Sequence, residues 1–167
     1  MQGGQIEAVS RTVIVEDEIK RPADTTDYDA GDVFCDAVTR PFQFRRAART
    51  PGAGGVIQSA LLIDSVAQST KPDLELYLFT SNLVMQADNA AWAPTDFDME
   101  SCIGWISFPL GYFKIAGANG IIQSTDKALA FACEPKSVDL FGVLVPRNAY
   151  TPTSAERIRI KLGILQD

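Results

Sequence analysis

The sequence predicts an all-β fold: an antiparallel β-sandwich, jelly-roll-like, with an extended N-terminal arm. Three observations lead there. Short apolar runs recur along the chain, several with the period-two alternation of half-buried strands. Segments rich in Gly, Pro, Asn, Asp and Ser separate them. Nowhere do apolar residues hold a helical i, i+3, i+4, i+7 pattern over three turns with caps. With 167 residues, one domain is expected. It is placed at residues 26–167, behind an arm of residues 1–25.

The strands are expected in the following order. Thr12-Val13-Ile14-Val15 is β-branched without a break. Asp32 to Val38 follows the turn signal Asp29-Ala30-Gly31, and Phe42-Gln43-Phe44-Arg45 alternates. Val56 to Asp64 is an apolar run beyond the glycine-rich Pro51-Gly52-Ala53-Gly54-Gly55. Leu74, Leu76 and Leu78 share one face of the next strand. Cys102 to Phe108, Gly120 to Gln123, Leu129 to Cys133 and Leu140 to Val145 follow. In the last strand Ile158, Ile160, Leu162 and Ile164 face one way and Arg157, Arg159 and Lys161 the other, so one side is core and the other is wet or at an interface. Helix is expected only as short turns, at Asn89–Trp92 before Pro94 and at Asp96–Glu100. Gly55-Val56-Ile57-Gln58-Ser59 recurs as Gly120-Ile121-Ile122-Gln123-Ser124, a faint echo that two Greek keys would tolerate.

Composition excludes several functions. Histidine is absent, which removes Ser-His-Asp and Cys-His catalysis, histidine metal ligation and histidine pH switching. Fifteen Lys and Arg against twenty-one Asp and Glu give a net charge of -6, which argues against nucleic acid as a partner. No stretch approaches the ~18 apolar residues of a membrane helix, and Met1–Glu7 does not read as a signal peptide. The charge is uneven: residues 51–110 hold one base, Lys71, and seven acids. That asymmetry fits a contact surface complementary in sign to a partner, or simply solvated loops.

Asp27, Asp29 and Asp32, and again Asp96, Asp98 and Glu100, cluster in ways that suit Ca²⁺ or, more simply, turn hydrogen bonds; neither has the EF-hand spacing. The Pro51–Gly55 loop leads into a β-branched run rather than a helix, so it lacks a P-loop's phosphate cradle. Cys35, Cys102 and Cys133 form no C-x-x-C pair and read as small buried hydrophobes, with disulfide pairing as the alternative in an oxidising medium. Trp105 reads as core, and Trp92 as the one candidate for an exposed sugar-stacking platform. Arg40, Arg45, Arg46 and Arg49, with Arg157 and Arg159, are the expected partner-binding residues, since guanidinium groups grip acidic protein surfaces through paired hydrogen bonds. No catalytic residue, cofactor or metal is expected.

Several segments recur together in a known group: Tyr28-Asp29-Ala30-Gly31-Asp32-Val33, Gly54 to Ser59 with Leu62-Ile63-Asp64, Leu74 to Phe79, Ala87 to Ala93, Ile103-Gly104, and the ending Leu162 to Asp167. In that order they resemble small virion structural proteins of tailed bacteriophages, from about Tyr28 onward. The resemblance implies a β-sandwich capsid decoration or cement protein without enzymatic activity. It implies a homotrimer on the outer capsid surface of the virion, bound to the major capsid protein or other virion proteins and made in the host cytoplasm. It carries over no catalytic residue. The alternative reading is a carbohydrate-binding or adhesion module of a phage fibre.

Overall fold

A computed structural model describes residues 11–68 and 70–167. The strands are β1 (Arg11–Lys20), β2 (Phe42–Phe44), β3 (Gly54–Asp64), β4 (Leu74–Phe79), β5 (Cys102–Phe108), β6 (Lys114–Ala116), β7 (Asn119–Ser124), β8 (Leu129–Ala132), β9 (Leu140–Pro146) and β10 (Arg157–Gln166). One short helix, α1 (Asp96–Glu100), precedes β5, and a 3-10 turn at Leu110–Tyr112 follows it. All pairings between these strands are antiparallel. The larger sheet runs β1-β10-β3-β7-β6, with β8 pairing the first half of β3, and the smaller runs β2-β9-β4-β5. Most successive strands cross between the sheets, β4 to β5 and β6 to β8 excepted, and the last strand lies beside the first, which is the strand order of a jelly roll.

Alternation builds the main core. Ile158, Ile160, Leu162 and Ile164 of β10 are buried against Leu74, Leu76 and Leu78 of β4, Phe42 and Phe44 of β2, and Ile106 and Phe108 of β5. Their intervening neighbours Arg157 and Arg159 stay wet. Gly54 and Gly55 explain the glycine-rich entry to β3. A side chain at either would run into backbone, at 2.2 Å from the Phe131 carbonyl oxygen or 2.6 Å from that of Leu165. The loop is a tight strand entry wedged between β8 and β10.

Three expectations meet a different outcome. Residues 11–20 of the expected arm are β1, paired with β10 at every position, while residues 1–10 lie outside the described residues. Asp32–Val38 is not a strand. It is a covering segment held by single bridges, Asp32 to Ala91 and Phe34 to Leu144, with Phe34 in the main core and Val33 and Cys35 packed on the smaller sheet. Asn89–Trp92 forms a turn, whereas Asp96–Glu100 is helical, capped by Thr95 and Asp98 acting reciprocally. β6 carried no sequence signal because all three of its residues are exposed.

The outer face of the smaller sheet is covered by the segments around residues 29–36 and 80–93. Val33, Cys35 and Leu83 bury themselves on Val143, Val145 and Phe79. One carboxylate pins this layer: Asp88 accepts from Arg21 Nη2 at 3.0 Å, from the Tyr28 hydroxyl at 2.6 Å and from the Cys35 backbone N–H at 2.8 Å. Arg21 is fully buried and also donates from Nε to Tyr28 at 2.7 Å. Burial, followed by the neighbouring Asp88, pushes the Tyr28 hydroxyl far above its ordinary range, so it stays protonated and donates.

A second buried polar group sits at the start of β10. Lys71 pairs with Asp64 at 2.5 Å, and both Glu156 carboxylate oxygens take the Tyr150 hydroxyl within 2.6 Å. Burial, then the adjacent Asp64, raises Glu156 from 4.5 to about 7.

Two predictions follow from these groups. Replacing Asp88 by Ala leaves the buried Arg21 with only the half-exposed Asp24 as ion-pair partner and takes the acceptor from the Tyr28 hydroxyl and the Cys35 N–H, which should cost roughly 2–4 kcal/mol in denaturant unfolding. Glu156 has a folded pKa above its unfolded one, so its stability contribution is full below pH 4.5 and is lost as pH rises through about 7. In melting curves across that window, Glu156→Gln should flatten the decline seen in the wild type.

Candidate functional site

The expected partner-binding arginines divide into three settings. Arg40 is consumed internally. Its Nη1 lies 2.6 Å from Asp17 Oδ2, its Nε 3.0 Å from Asp36 Oδ2, and its Nη2 donates to the Glu18 carbonyl at 2.7 Å. Asp17 occupies an inward position of β1 and also accepts the Gln43 backbone N–H at 2.7 Å. Arg40 and Asp17 therefore tie β1 of one sheet to β2 of the other.

Arg157 and Arg159 lie on the wet face of β10, in cross-strand pairs with β1. Arg159 reaches Glu18 Oε2 through Nη2 at 2.9 Å and Nε at 3.2 Å, and Arg157 lies 4.0 Å from Glu18 Oε1. Lys161 pairs with Glu16 at 2.9 Å in the same ladder. All three cations are engaged within the chain, in pairs open to water.

Arg45, Arg46 and Arg49 are different. β2 ends at Phe44, and the chain turns through Arg46 in the left-handed region, with φ of 60°. Ala47 and Ala48 are buried, 0% and 2% exposed, and pull the turn into the core. The arginines on either side are thereby thrown outward. Gln166 at the end of β10 fixes the turn by donating to the carbonyls of Arg46 and Ala47, at 2.8 and 3.0 Å. With Arg11 these arginines line a groove of about 810 Å³ along residues 11–16 of β1. Among the described residues, none of the four has an ion-pair partner.

The opposite flank carries a surface that sequence reasoning missed. β5 ends the smaller sheet and β6 ends the larger, and β5 packs on β7 and β8. Along the segment from α1 to β6, Phe97, Met99, Trp105, Leu110, Tyr112 and Ile115 are 42–79% exposed. Trp105, expected in the core, is 60% exposed. Its direction follows the alternation of β5, in which Ile106 and Phe108 face the core and Trp105 faces outward beside Tyr77; the register breaks only before it, at Gly104 with φ of +132° opposite Leu78. Trp92, expected as an exposed platform, is instead packed between Tyr77 and Phe79, with ring centroids 4.5 and 6.3 Å away.

The remaining candidates have structural duties. Asp32 accepts the Asp29 N–H at 2.7 Å, and Asp98 caps α1. Cys35 and Cys133 are buried and Cys102 half-buried, all as free thiols. Burial, reinforced by Asp36 and by Asp139 respectively, pushes the Cys35 and Cys133 thiols up to about 11, leaving little thiolate to react at neutral pH.

The contrast among the ion pairs is measurable. Arg159→Ala breaks a water-exposed pair and should change unfolding stability by less than ~1 kcal/mol. Asp17→Ala leaves the Gln43 N–H without its acceptor and Arg40 with Asp36 as its remaining carboxylate, and should cost about 1–3 kcal/mol.

No family model matches the sequence, and no curated protein matches it. Solved structures similar to this chain include one from the capsid of Ralstonia phage GP4, 14% identical over 99% of this chain and 90% of that chain, with a TM-score of 0.43. Another is from the capsid asymmetric unit of cyanophage Pam1, 12% identical over all of this chain and 93% of that one, with a TM-score of 0.39. A third, from Triatoma Virus, is 13% identical over 92% of this chain and 63% of that one, with a TM-score of 0.30.

Proposed function

We propose that this chain is a non-enzymatic virion structural protein, a capsid decoration or cement protein that binds and stabilises the outer head shell of a tailed bacteriophage as a homotrimer. It is made in the host cytoplasm and sits on the capsid surface, against the major capsid protein or other virion proteins. The observation that carries this reading is the apolar flank from α1 to β6. Six large apolar side chains on one edge of a small sandwich are what an interface needs and what a solitary protein avoids. The ordered sequence segments shared with small phage virion proteins supply the kind of interface.

The energetics suit the role. Fully burying one such side chain is worth roughly 1.5–3 kcal/mol. Several together offset the roughly 4–15 kcal/mol of freedom lost on association. Three linked copies then bind a shell far more tightly than one, because the second and third contacts form at high effective concentration. A protein that binds only the assembled shell stabilises that state by mass action.

A second reading, glycan binding on a fibre, draws on one observation: Trp105 stands exposed beside Tyr77, with Arg147 and Glu75 hydrogen-bonded next to them.

Heads lacking the protein should bind it saturably and then disrupt at a higher temperature in a light-scattering melt. Unchanged melting of saturated heads would contradict the cement role. In sedimentation velocity the wild type should run as a trimer, and Trp105→Ser/Tyr112→Ser should run as a folded monomer. A wild-type monomer would remove the oligomer, and glycan-array binding abolished by Trp105→Ala would favour the fibre reading.

A further inference from the structure

We propose that the open half of β1, ringed by Arg11, Arg45, Arg46 and Arg49, docks an extended, carboxylate-bearing segment of a neighbouring shell subunit as an added β-strand. This rests on the reading of the chain as a shell-binding protein and names the surface and partner chemistry through which it binds.

β1 is an edge strand whose partner β10 occupies one side over all ten residues. The two halves of its other side differ. From Asp17 onward it is closed: the Glu18 carbonyl accepts from Arg40, and Asp17 holds both Arg40 and the Gln43 N–H. From Arg11 to Glu16 it faces the groove. Because the Glu18 carbonyl points to that side, period-two alternation sends the N–H and C=O groups of Thr12, Ile14 and Glu16 the same way. Such a row of alternating donors and acceptors is answered by another strand, the mode known as β-augmentation.

Charge selects the occupant. The four arginines have no ion-pair partner among the described residues, and the one acid in the groove, Glu16, is already paired with Lys161. Guanidinium forks match carboxylates in bidentate geometry. A phosphate backbone would answer the arginines but not the outward carbonyls, and the net charge of -6 opposes a polyanion. At roughly 3.3 Å per residue, five or six residues of an extended segment fill the length of Arg11–Glu16. Alternate carboxylates would face the arginines, and the intervening side chains would lie beside the 71%-exposed Ile14.

The experiment measures retention of the full chain on purified heads that lack it, by co-sedimentation at low and high salt. Wild type should be retained, and retention should weaken as salt screens the groove. Arg45→Glu/Arg49→Glu should lose about tenfold in affinity at low salt while keeping its melting temperature and oligomer mass. Lys127→Glu/Lys136→Glu, equal in charge change but away from the groove, should bind like wild type. A photo-crosslinking residue at position 14 should join the chain to an acidic segment of a shell protein. Equal retention of the Arg45/Arg49 variant overturns the inference and leaves the cement role standing. So does a crosslink to a second copy, to residues 1–10 of the same chain or to nucleic acid. Failure of the wild type itself to bind heads would remove the cement role, and this inference with it.

Discussion

Strand β9 is apolar on both faces, and much of the architecture answers that constraint. Leu140 and Leu144 point into the core between the sheets, while Val143 and Val145 point away from it and are equally buried. A two-layer sandwich would leave the second pair in water. Here the segments at 29–36 and 80–93 lie over them as a partial third layer, and irregular backbone of that kind needs fixed hydrogen-bond partners. Asp88 supplies the anchor. By joining Arg21, Tyr28 and the Cys35 backbone, it fastens three separated stretches of chain beneath one carboxylate. The cost of burying these charges is met only because each is paired and hydrogen-bonded, so the knot tolerates little change.

With the outer face of the smaller sheet covered, the flanks are where the molecule meets its surroundings. Open strand edges invite pairing, and proteins usually block them. Among the described residues, Arg40 and Asp17 block only half of β1, and the other half is lined with arginines that have no ion-pair partner. On the far flank the chain lays out Trp105, Tyr112 and Ile115 along edge strands and their connection. The two flanks differ in chemistry, one cationic and one apolar, and so suit different neighbours. In the proposed assembly the apolar flank meets sister copies and the cationic flank meets the shell.

Much of the fold was legible in the sequence because strand patterning is local. The alternation of Ile158, Ile160, Leu162 and Ile164 against Arg157 and Arg159 appears in the buried and wet faces of β10, and the Leu74, Leu76, Leu78 row faces the core. Asp32–Val38 misled for a physical reason: as a covering segment it packs Val33 and Cys35 on the smaller sheet and sends Phe34, between them, into the main core, which imitates a strand without a ladder. The sites were less legible because they depend on distant partners. Nothing near Arg40 reveals that Asp17 will claim it, so the cluster from Arg40 to Arg49 looked uniform when it is split between an internal tie and an open groove. Trp105 sits in an apolar run and reads as core. Its exposure follows from β5 being the last strand of its sheet, which is not written locally.

On this reading the molecule works through its two flanks as a fastener between protein subunits. A cryo-EM map of the assembled particle tests it most directly. Density for this sandwich is expected outside the shell, with the β5–β6 flank buried against sister copies and the β1 groove filled by a segment of the shell. A map in which both flanks face solvent, or in which the chain is absent from the particle, would contradict it.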